Sequence, residues 1–249
     1  MEFKIDLHTH TIASGHAYST LKENLEEAHA KGMELIALTE HGPQMPDAPH
    51  LYYFGNMRVL PRKYLGVELL RGVEANILDF DGKLDMPDEY LKRLDIVLAG
   101  FHPGCFEPGT VEENTLAMIN AMRHPLVDII VHPGNPEYPI DPEKLVDASK
   151  KLGVALEINN SSLGEGSRKG SLENCRLIAK FAAQKGSLIA LGSDAHWAPL
   201  IGDFTKAVKL IEEVGLSLEQ ILNTDKEKVY NYLKFKRRIS GKQLEAPRI

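Results

Sequence analysis

Short apolar runs alternate with longer amphipathic stretches along the chain. The apolar runs contain few polar residues, which is typical of parallel strands that are buried on both faces of a sheet. They predict seven strands, over residues Phe3 to Leu7, Leu35 to Thr39, Leu69 to Glu74, Ile96 to Phe101, Ile129 to Val131, Ala155 to Asn159 and Leu188 to Gly192. Strands that alternate with helices in this way predict an α/β protein with a parallel sheet.

The stretches between the strands carry apolar residues at the three- and four-residue spacing of a helix face. The segment Leu21 to Lys31, for example, places Leu21, Leu25 and Ala28 on one face. Further helices are predicted over residues Glu112 to Met122, Leu172 to Gln184, Phe204 to Val214, Leu218 to Asn223 and Lys226 to Phe235. Helix ends are expected at the glycines Gly32, Gly153 and Gly186.

One connection, from Pro43 to Leu65, is long, weakly periodic and rich in Pro, Tyr and Arg. Long connections inside compact domains are usually functional. His50 and Arg58, which lie in it, are therefore candidates for lining a substrate-binding mouth, with stabilisation of the loop as the alternative role of His50.

Nine histidines and acids stand at or just after the predicted strand ends, near glycine, proline or serine. They are His8, His10, His16, His41, Glu74, His102, His132, Asp194 and His196. A ring of parallel strands gathers its carboxyl ends into one mouth, so these side chains are expected to meet there. Their recurrence at one structural position is not expected of histidines that merely fill a core.

The composition of this set predicts transition-metal ions. Imidazole and carboxylate together suit Zn, Mn or Fe(II) better than Ca or Mg. Catalytic zinc usually keeps about three protein ligands, so nine side chains predict three ions, with one carboxylate shared between two of them. Glu74 is the expected bridge, because it is the only glutamate in the set.

Length and charge narrow the class of protein further. The chain has 249 residues and a net charge of −6, which favours neither nucleic acid nor an anionic membrane as a partner. We expect a single domain over residues 1–249, with a short basic tail from about Lys236 that includes Arg237, Arg238 and Lys242. No apolar run reaches the length of a membrane helix, and a cleaved leader would remove His8 and His10. A cytoplasmic protein with two reduced cysteines is expected.

The sequence resembles the PHP superfamily, named for polymerase and histidinol phosphatase. The residues that carry the resemblance are His8-x-His10, Glu40-His41, Glu74, His102, His132, Asp194-x-His196, the run from Glu157 to Ser162, and Arg168-Lys169-Gly170. The chain is most similar to the stand-alone bacterial phosphatase branch with a trinuclear zinc site. That resemblance implies a distorted (β/α)7 barrel, in agreement with the seven predicted strands.

The resemblance also implies how the ligands divide among three ions. One ion would take His8, His10, Glu74 and Asp194; a second Glu74, His102 and His132; and the third His16, His41 and His196. It further implies a homo-oligomer, a trimer in this branch.

The expected function is hydrolysis of phosphomonoesters of small metabolites by a metal-bound hydroxide at this centre. Glu74 and Asp194 would act catalytically by holding the ions. Arg168 and Lys169, in the connection after the sixth strand, are candidates for binding the phosphate, with a solvated surface pair as the alternative. Asn159 and Ser161 are expected to orient ligands or substrate. The expected cofactors are three zinc ions, with manganese or iron as alternatives.

Three other functions compete with this one. A phosphodiesterase or nuclease of the same superfamily would act on nucleotides or oligonucleotides, although the acidic chain lacks an aromatic and basic track. An amidohydrolase-type barrel would leave His16, His41 and His102 unexplained. A non-catalytic, metal-stabilised scaffold could lose ligands without penalty, whereas this chain retains all nine.

Overall fold

The computed structural model describes residues 1–166 and 168–239. The strands are β1 (Ile5–Thr9), β2 (Leu35–Leu38), β3 (Lys63–Tyr64), β4 (Val67–Asn76), β5 (Ile96–Gly100), β6 (Ile129–Ile130), β7 (Ala155–Asn159) and β8 (Ile189–Gly192). Seven of these run parallel in the order β1-β2-β4-β5-β6-β7-β8, and short β3 pairs antiparallel with the start of β4. All seven predicted strands are confirmed.

The sheet closes into a barrel between its first and last strands. Thr9 and Ala195 form a parallel bridge, and the His10 amide donates to the Ala195 carbonyl over 3.0 Å. The barrel is irregular, because the register between β1 and β2 shifts between Asp6 and Thr9. The predicted distorted (β/α)7 barrel is confirmed.

Helices cover the outside of the barrel. Those described are α1 (Leu21–Ala30), α2 (Leu51–Asn56), α3 (Asp88–Leu91), α4 (Val111–Met122), α5 (Pro142–Leu152), α6 (Ser171–Lys185), α7 (Thr205–Glu213) and α8 (Lys226–Ile239). Gly153 and Gly186 end α5 and α6 in the left-handed conformation that glycine adopts without strain. Helix α5 is absent from the predicted helices, although its end at Gly153 is predicted.

Two predicted segments need correction. The connection from Pro43 to Leu65 contains α2, a 3-10 turn over Met57–Val59 and strand β3, so it is not an unstructured loop. These elements are too short to show a periodic pattern, and buried Phe54 and Met57 anchor them in the core. The predicted helix from Leu218 to Asn223 consists instead of two 3-10 turns, Leu218–Gln220 and Leu222–Thr224.

Helix α8 covers the amino-terminal end of the barrel. Its Val229, Tyr232 and Leu233 pack with the apolar side chains inside the barrel, such as Leu35 and Ile96. The Tyr232 hydroxyl donates to the carbonyl of Asp128, just before β6, over 2.5 Å. The opposite end, where the strands finish, is therefore the end at which a mouth can form.

The predicted basic tail only partly falls within the structure. Lys236 belongs to α8 and is buried. The side chains of Arg237 and Arg238, and the whole of Lys242, lie outside the described residues.

None of the helices described here has both the length and the apolar character of a membrane span. Cys105 and Cys175 are free thiols.

Candidate metal centre

The nine predicted ligands converge at the carboxyl ends of the strands. His8 lies in β1 and Glu74 in β4, and the others follow strand ends: His10 and His16 after β1, His41 after β2, His102 after β5, His132 after β6, and Asp194 and His196 after β8. Parallel pairing aligns these ends, since residues His41 and Glu74 form a bridge beyond β2. The expectation that one mouth collects these side chains agrees with their positions.

Seven of the nine belong to three overlapping groups, and within each group the ligand atoms lie within 4.8 Å of one another. An eighth, His132, contacts one of these groups directly. Among the described residues, the three groups are His8, His10 and Asp194; His41, Glu74 and His102; and His10, His41 and His196. His132 joins them through Glu74, because its Nε2 lies 2.7 Å from the Glu74 Oε1.

Glu74 stands at the centre of the cluster. Its carboxylate oxygens lie within 3.4 Å of ring nitrogens of five histidines: His8, His10, His41, His102 and His132. Oε1 faces His102 and His132, whereas Oε2 faces the other three. A carboxylate whose two oxygens face different sets of imidazoles has the geometry of a bridge between two ions.

His8 and His10 point their Nε2 atoms at the same place. These two nitrogens are 3.0 Å apart, and the His10 Nε2 lies 3.3 Å from the Asp194 Oδ1. The His-x-His spacing thus brings both rings together, because side chains two residues apart on a strand lie on the same face. Both histidines are fully buried.

His16 and His196 lie toward the outer edge of the cluster. His16 is exposed and His196 is half-buried, and their ring centroids are 5.0 Å apart. The His16 ring also stacks on His41 with centroids 4.9 Å apart. His16 and His196 thus form the solvent-facing edge of the cluster, and His41 connects them to Glu74.

Several buried polar atoms of the cluster lack hydrogen bonds within the described part of the chain. They are Oε2 of Glu74, Oδ1 of Asp194, Nδ1 of His102 and both ring nitrogens of His41. A buried polar atom without a partner costs about 1–3 kcal/mol, and more when it is charged. Divalent cations would satisfy several of these atoms together, so the donor set fits metal ions.

At His8 the nearby carboxylates outweigh burial and raise the pKa. Burial keeps two other histidines of the centre, His10 and His132, neutral. The pKa of His10 is well below its ordinary value, because burial and repulsion by His41 and His196 all oppose protonation. Burial, and then the nearby Arg168, lower the pKa of His132 to about 3. A neutral imidazole has a lone pair to donate, so these residues are already in the state that binds metal.

The two acids of the centre remain ionised. Burial alone would raise the pKa of Asp194, but Arg168 and His8 hold it well below its ordinary value. The pKa of Glu74 is likewise held low against burial, chiefly by His102 and His8. Carboxylates and imidazoles together form a ligand set that suits transition metals.

A buried glutamate orients His8 from behind. Glu157, in β7, accepts a hydrogen bond from the His8 Nδ1 over 2.7 Å and one from the His132 amide over 2.8 Å. A β-carbon at Gly192 would lie 2.0 Å from this carboxylate and 2.7 Å from the His8 β-carbon, so only glycine fits there. The sequence motifs include Glu157 but assign it no role. A charged residue within an apolar strand is the signal that points to one.

Backbone strain is concentrated at the site. Three residues of the centre or its surroundings have a positive φ without being glycine: His132 at 34°, Asp194 at 56° and Arg168 at 62°. This region is disfavoured for residues with a β-carbon and persists where surrounding contacts enforce it. The unusual backbone here aims functional side chains inward.

The predicted substrate-binding residues divide into two groups, and two of them border the centre. The Arg168 Nη1 donates to the Asp194 Oδ2 over 2.8 Å and to the Ser162 hydroxyl over 3.2 Å. The Asn159 side chain donates to the same Asp194 oxygen over 3.2 Å. Arg168 and Asn159 therefore hold Asp194 from the side opposite to its free Oδ1.

The structure does not bring the other four to the ligand cluster. Lys169 is exposed and pairs with Glu165 over 2.9 Å, and Ser161 begins a 3-10 turn. His50 caps the start of α2 by accepting from the Tyr52 amide. Arg58 lines a cleft of about 180 Å³ with no ligand of the centre in its walls: Tyr52, Gly55, Asn56, Arg58, Tyr90 and Arg93.

The family model of the PHP domain matches residues 6–131 of the chain. A probable phosphatase of Thermoanaerobacter sp. (strain X514) is 55% identical over 246 residues, which are 98% of this chain and 100% of that protein. A probable phosphatase of Shewanella piezotolerans is 53% identical, covering 94% of each chain.

Among solved structures, the histidinol phosphate phosphatase of Lactococcus lactis, complexed with zinc, L-histidinol and phosphate, aligns with a TM-score of 0.62. The two are 18% identical, and the alignment covers 87% of this chain and 95% of that one. A chain of archaeal ribonuclease P with mature tRNA aligns with a TM-score of 0.59 at 14% identity, covering 98% and 96%. At these identities the likeness concerns the fold.

Proposed function

The chain belongs to the PHP domain family, and on that basis we propose that it is a metal-dependent phosphatase acting on phosphomonoesters of small metabolites. The observation that carries the proposal is the Glu74 carboxylate, fully buried and faced by five imidazoles. A cluster of this kind costs free energy unless cations occupy it. Relatives at more than half identity over nearly the whole chain are named probable phosphatases.

The geometry supports three ions, with zinc the preferred metal and manganese or iron(II) the alternatives. His8, His10, Asp194 and the Glu74 Oε2 would hold one ion, and the Glu74 Oε1 with His102 and His132 a second. The third would lie among His16, His41 and His196, at the exposed edge of the mouth. The zinc and phosphate in the histidinol phosphate phosphatase of the same fold are consistent with this choice.

When bound, such ions would make a water molecule acidic near neutral pH and neutralise charge on the phosphoryl oxygens. The protein itself would then position the substrate and shield the reacting groups from solvent, as phosphoryl transfer requires. Arg168 is suited to the first task. Its guanidinium carries five N–H donors, of which Nη1 is directed at Asp194 and Ser162, so donors remain for a phosphate oxygen.

The proposal predicts the metal content of the protein. Elemental analysis of protein purified without chelator should find close to three ions per chain, dominated by zinc or manganese. The same preparation should hydrolyse p-nitrophenyl phosphate. A reproducible content near one ion per chain would rule out the three-ion centre, and a fully loaded but inactive protein would rule out the phosphatase.

Arg168→Ala tests the phosphate contact. We expect KM for p-nitrophenyl phosphate to rise about ten- to a hundredfold, because a charge-assisted hydrogen bond contributes about 1.5–3 kcal/mol. Metal content should be retained, since Asn159 still donates to the Asp194 Oδ2. The matched control is Lys169→Ala, which removes a neighbouring positive charge that is exposed and paired with Glu165. Equal kinetics for the two variants would exclude Arg168 from substrate binding.

A further inference from the structure

Glu40 is a buried carboxylate directly beside the centre, and it is not among the nine predicted ligands. It accepts hydrogen bonds from the Thr11 amide over 3.1 Å, the Thr11 hydroxyl, the Ser14 hydroxyl over 2.5 Å and the Tyr53 hydroxyl over 3.3 Å. Its side chain forms no ion pair with a lysine or arginine in residues 1–166 and 168–239. Four donors from three residues thus surround one carboxylate.

Ser14 connects this carboxylate to the centre. Its hydroxyl donates to Glu40 and lies 3.1 Å from the Nδ1 of His10. The His41 amide donates to the same Ser14 oxygen over 3.1 Å. Because the Ser14 proton is committed to Glu40, the Ser14 oxygen must accept from His10, and the His10 ring then carries its proton on Nδ1.

We propose that Glu40, acting through Ser14, is a positioning residue that fixes His10 in the tautomer and orientation needed at the centre. With the proton on Nδ1, the lone pair is on Nε2, which lies 3.4 Å from the Glu74 Oε2 and 3.3 Å from the Asp194 Oδ1. The inference rests on the proposed function only in taking His10 as a metal ligand.

The neighbouring histidine provides an internal parallel. His8 has its Nδ1 directly on a carboxylate, that of Glu157. His10 lies past the end of β1, where Ser14, in the 3-10 turn that follows, fills the gap between its ring and the Glu40 carboxylate. Both histidines of the His-x-His pair thus have a carboxylate behind them, one direct and one through a serine hydroxyl.

The need for a carboxylate follows from its partners. All of its hydrogen-bond partners are donors, so glutamine at position 40 would direct an amide N–H₂ at one or more of them. Ser14 could then donate to the His10 Nδ1, which would move the His10 proton to Nε2 and block that ligand atom. Glu40→Gln and Ser14→Ala should therefore have the same effect on His10.

The test is chelator competition on the zinc-loaded full chain, without substrate. Removing the partner behind a ligating histidine typically weakens metal binding about 10–100-fold. We expect Glu40→Gln and Ser14→Ala each to weaken one ion by that factor, so that it is released at lower chelator concentration than the others. The double variant should lose no more than either single one, because the two residues act in series.

Glu113→Gln is the matched control. Glu113 accepts from the amide and hydroxyl of Thr110, as Glu40 does from Thr11, but at the exposed start of α4. Its zinc release should match wild type. Long-range ¹H–¹⁵N spectra of the imidazoles give a second readout: a His10 proton on Nδ1 in wild type, and redistribution to Nε2 in Ser14→Ala.

Three outcomes would overturn the inference: unchanged zinc release in Ser14→Ala, additive losses in the double variant, or lower thermal stability of Glu40→Gln with unchanged zinc affinity. If Glu40→Gln does not fold, zinc release from Ser14→Ala alone decides whether the inference holds. Zinc affinity is measured without turnover, so a protein that proves inactive as a phosphatase would refute the proposed function and leave this test intact.

Discussion

Glu74→Ala is expected to remove two of the three ions and to lower kcat/KM for a phosphomonoester by a thousandfold or more. The side chain has one oxygen 2.7 Å from the His132 Nε2 and the other 3.3 Å from the His8 Nε2. It therefore faces proposed ligands of two different ions. A metal ion contributes several kcal/mol of transition-state stabilisation, and about 4 kcal/mol corresponds to roughly a thousandfold in rate.

His41→Ala and His29→Ala are the comparisons for this prediction. His41 is assigned to the third ion alone, so its loss should remove close to one ion. His29 is an exposed histidine on α1, and its replacement should change neither metal content nor rate. Elemental analysis of the three variants measures the number of ions that each one has lost. Equal metal losses in Glu74→Ala and His41→Ala would mean that Glu74 does not bridge two ions.

The strands and the ligand cluster could be predicted because both follow from local rules. Buried parallel strands are apolar runs, and in a barrel their carboxyl ends lie at the same face. A histidine that follows such a run is therefore predicted to lie at that face. The resemblance to the PHP superfamily is confirmed by the family match. The roles of Glu40 and Glu157 could not be predicted, because their partners come from distant segments.

Arg168 and Lys169 show the limit most clearly. They are adjacent cations after the same strand, and the sequence pattern predicts the same role for both. In the structure, Arg168 adopts a positive φ of 62° and directs its guanidinium at Asp194, whereas Lys169 points outward to Glu165. A single left-handed residue decides which side chain reaches the centre, and no periodic pattern reports such a residue.

A preference for phosphomonoesters over phosphodiesters is the second large effect we expect. A terminal phosphate offers three non-bridging oxygens, one for each proposed ion position, and a diester offers only two. The lost contact is charge-assisted, so it corresponds to about 1.5–3 kcal/mol, or on the order of a hundredfold in kcat/KM. Arg168 beside Asp194 adds a further donor for a terminal oxygen.

The measurement that tests the central claim most directly is kcat/KM for p-nitrophenyl phosphate and for bis(p-nitrophenyl) phosphate, on one preparation of known metal content. We predict that the monoester is preferred by about a hundredfold. Chelation should abolish both activities, zinc or manganese should restore monoester cleavage, and inorganic phosphate should inhibit competitively. A preference of about tenfold or more for the diester, or efficient degradation of a short oligonucleotide, would contradict the phosphatase and favour a nuclease.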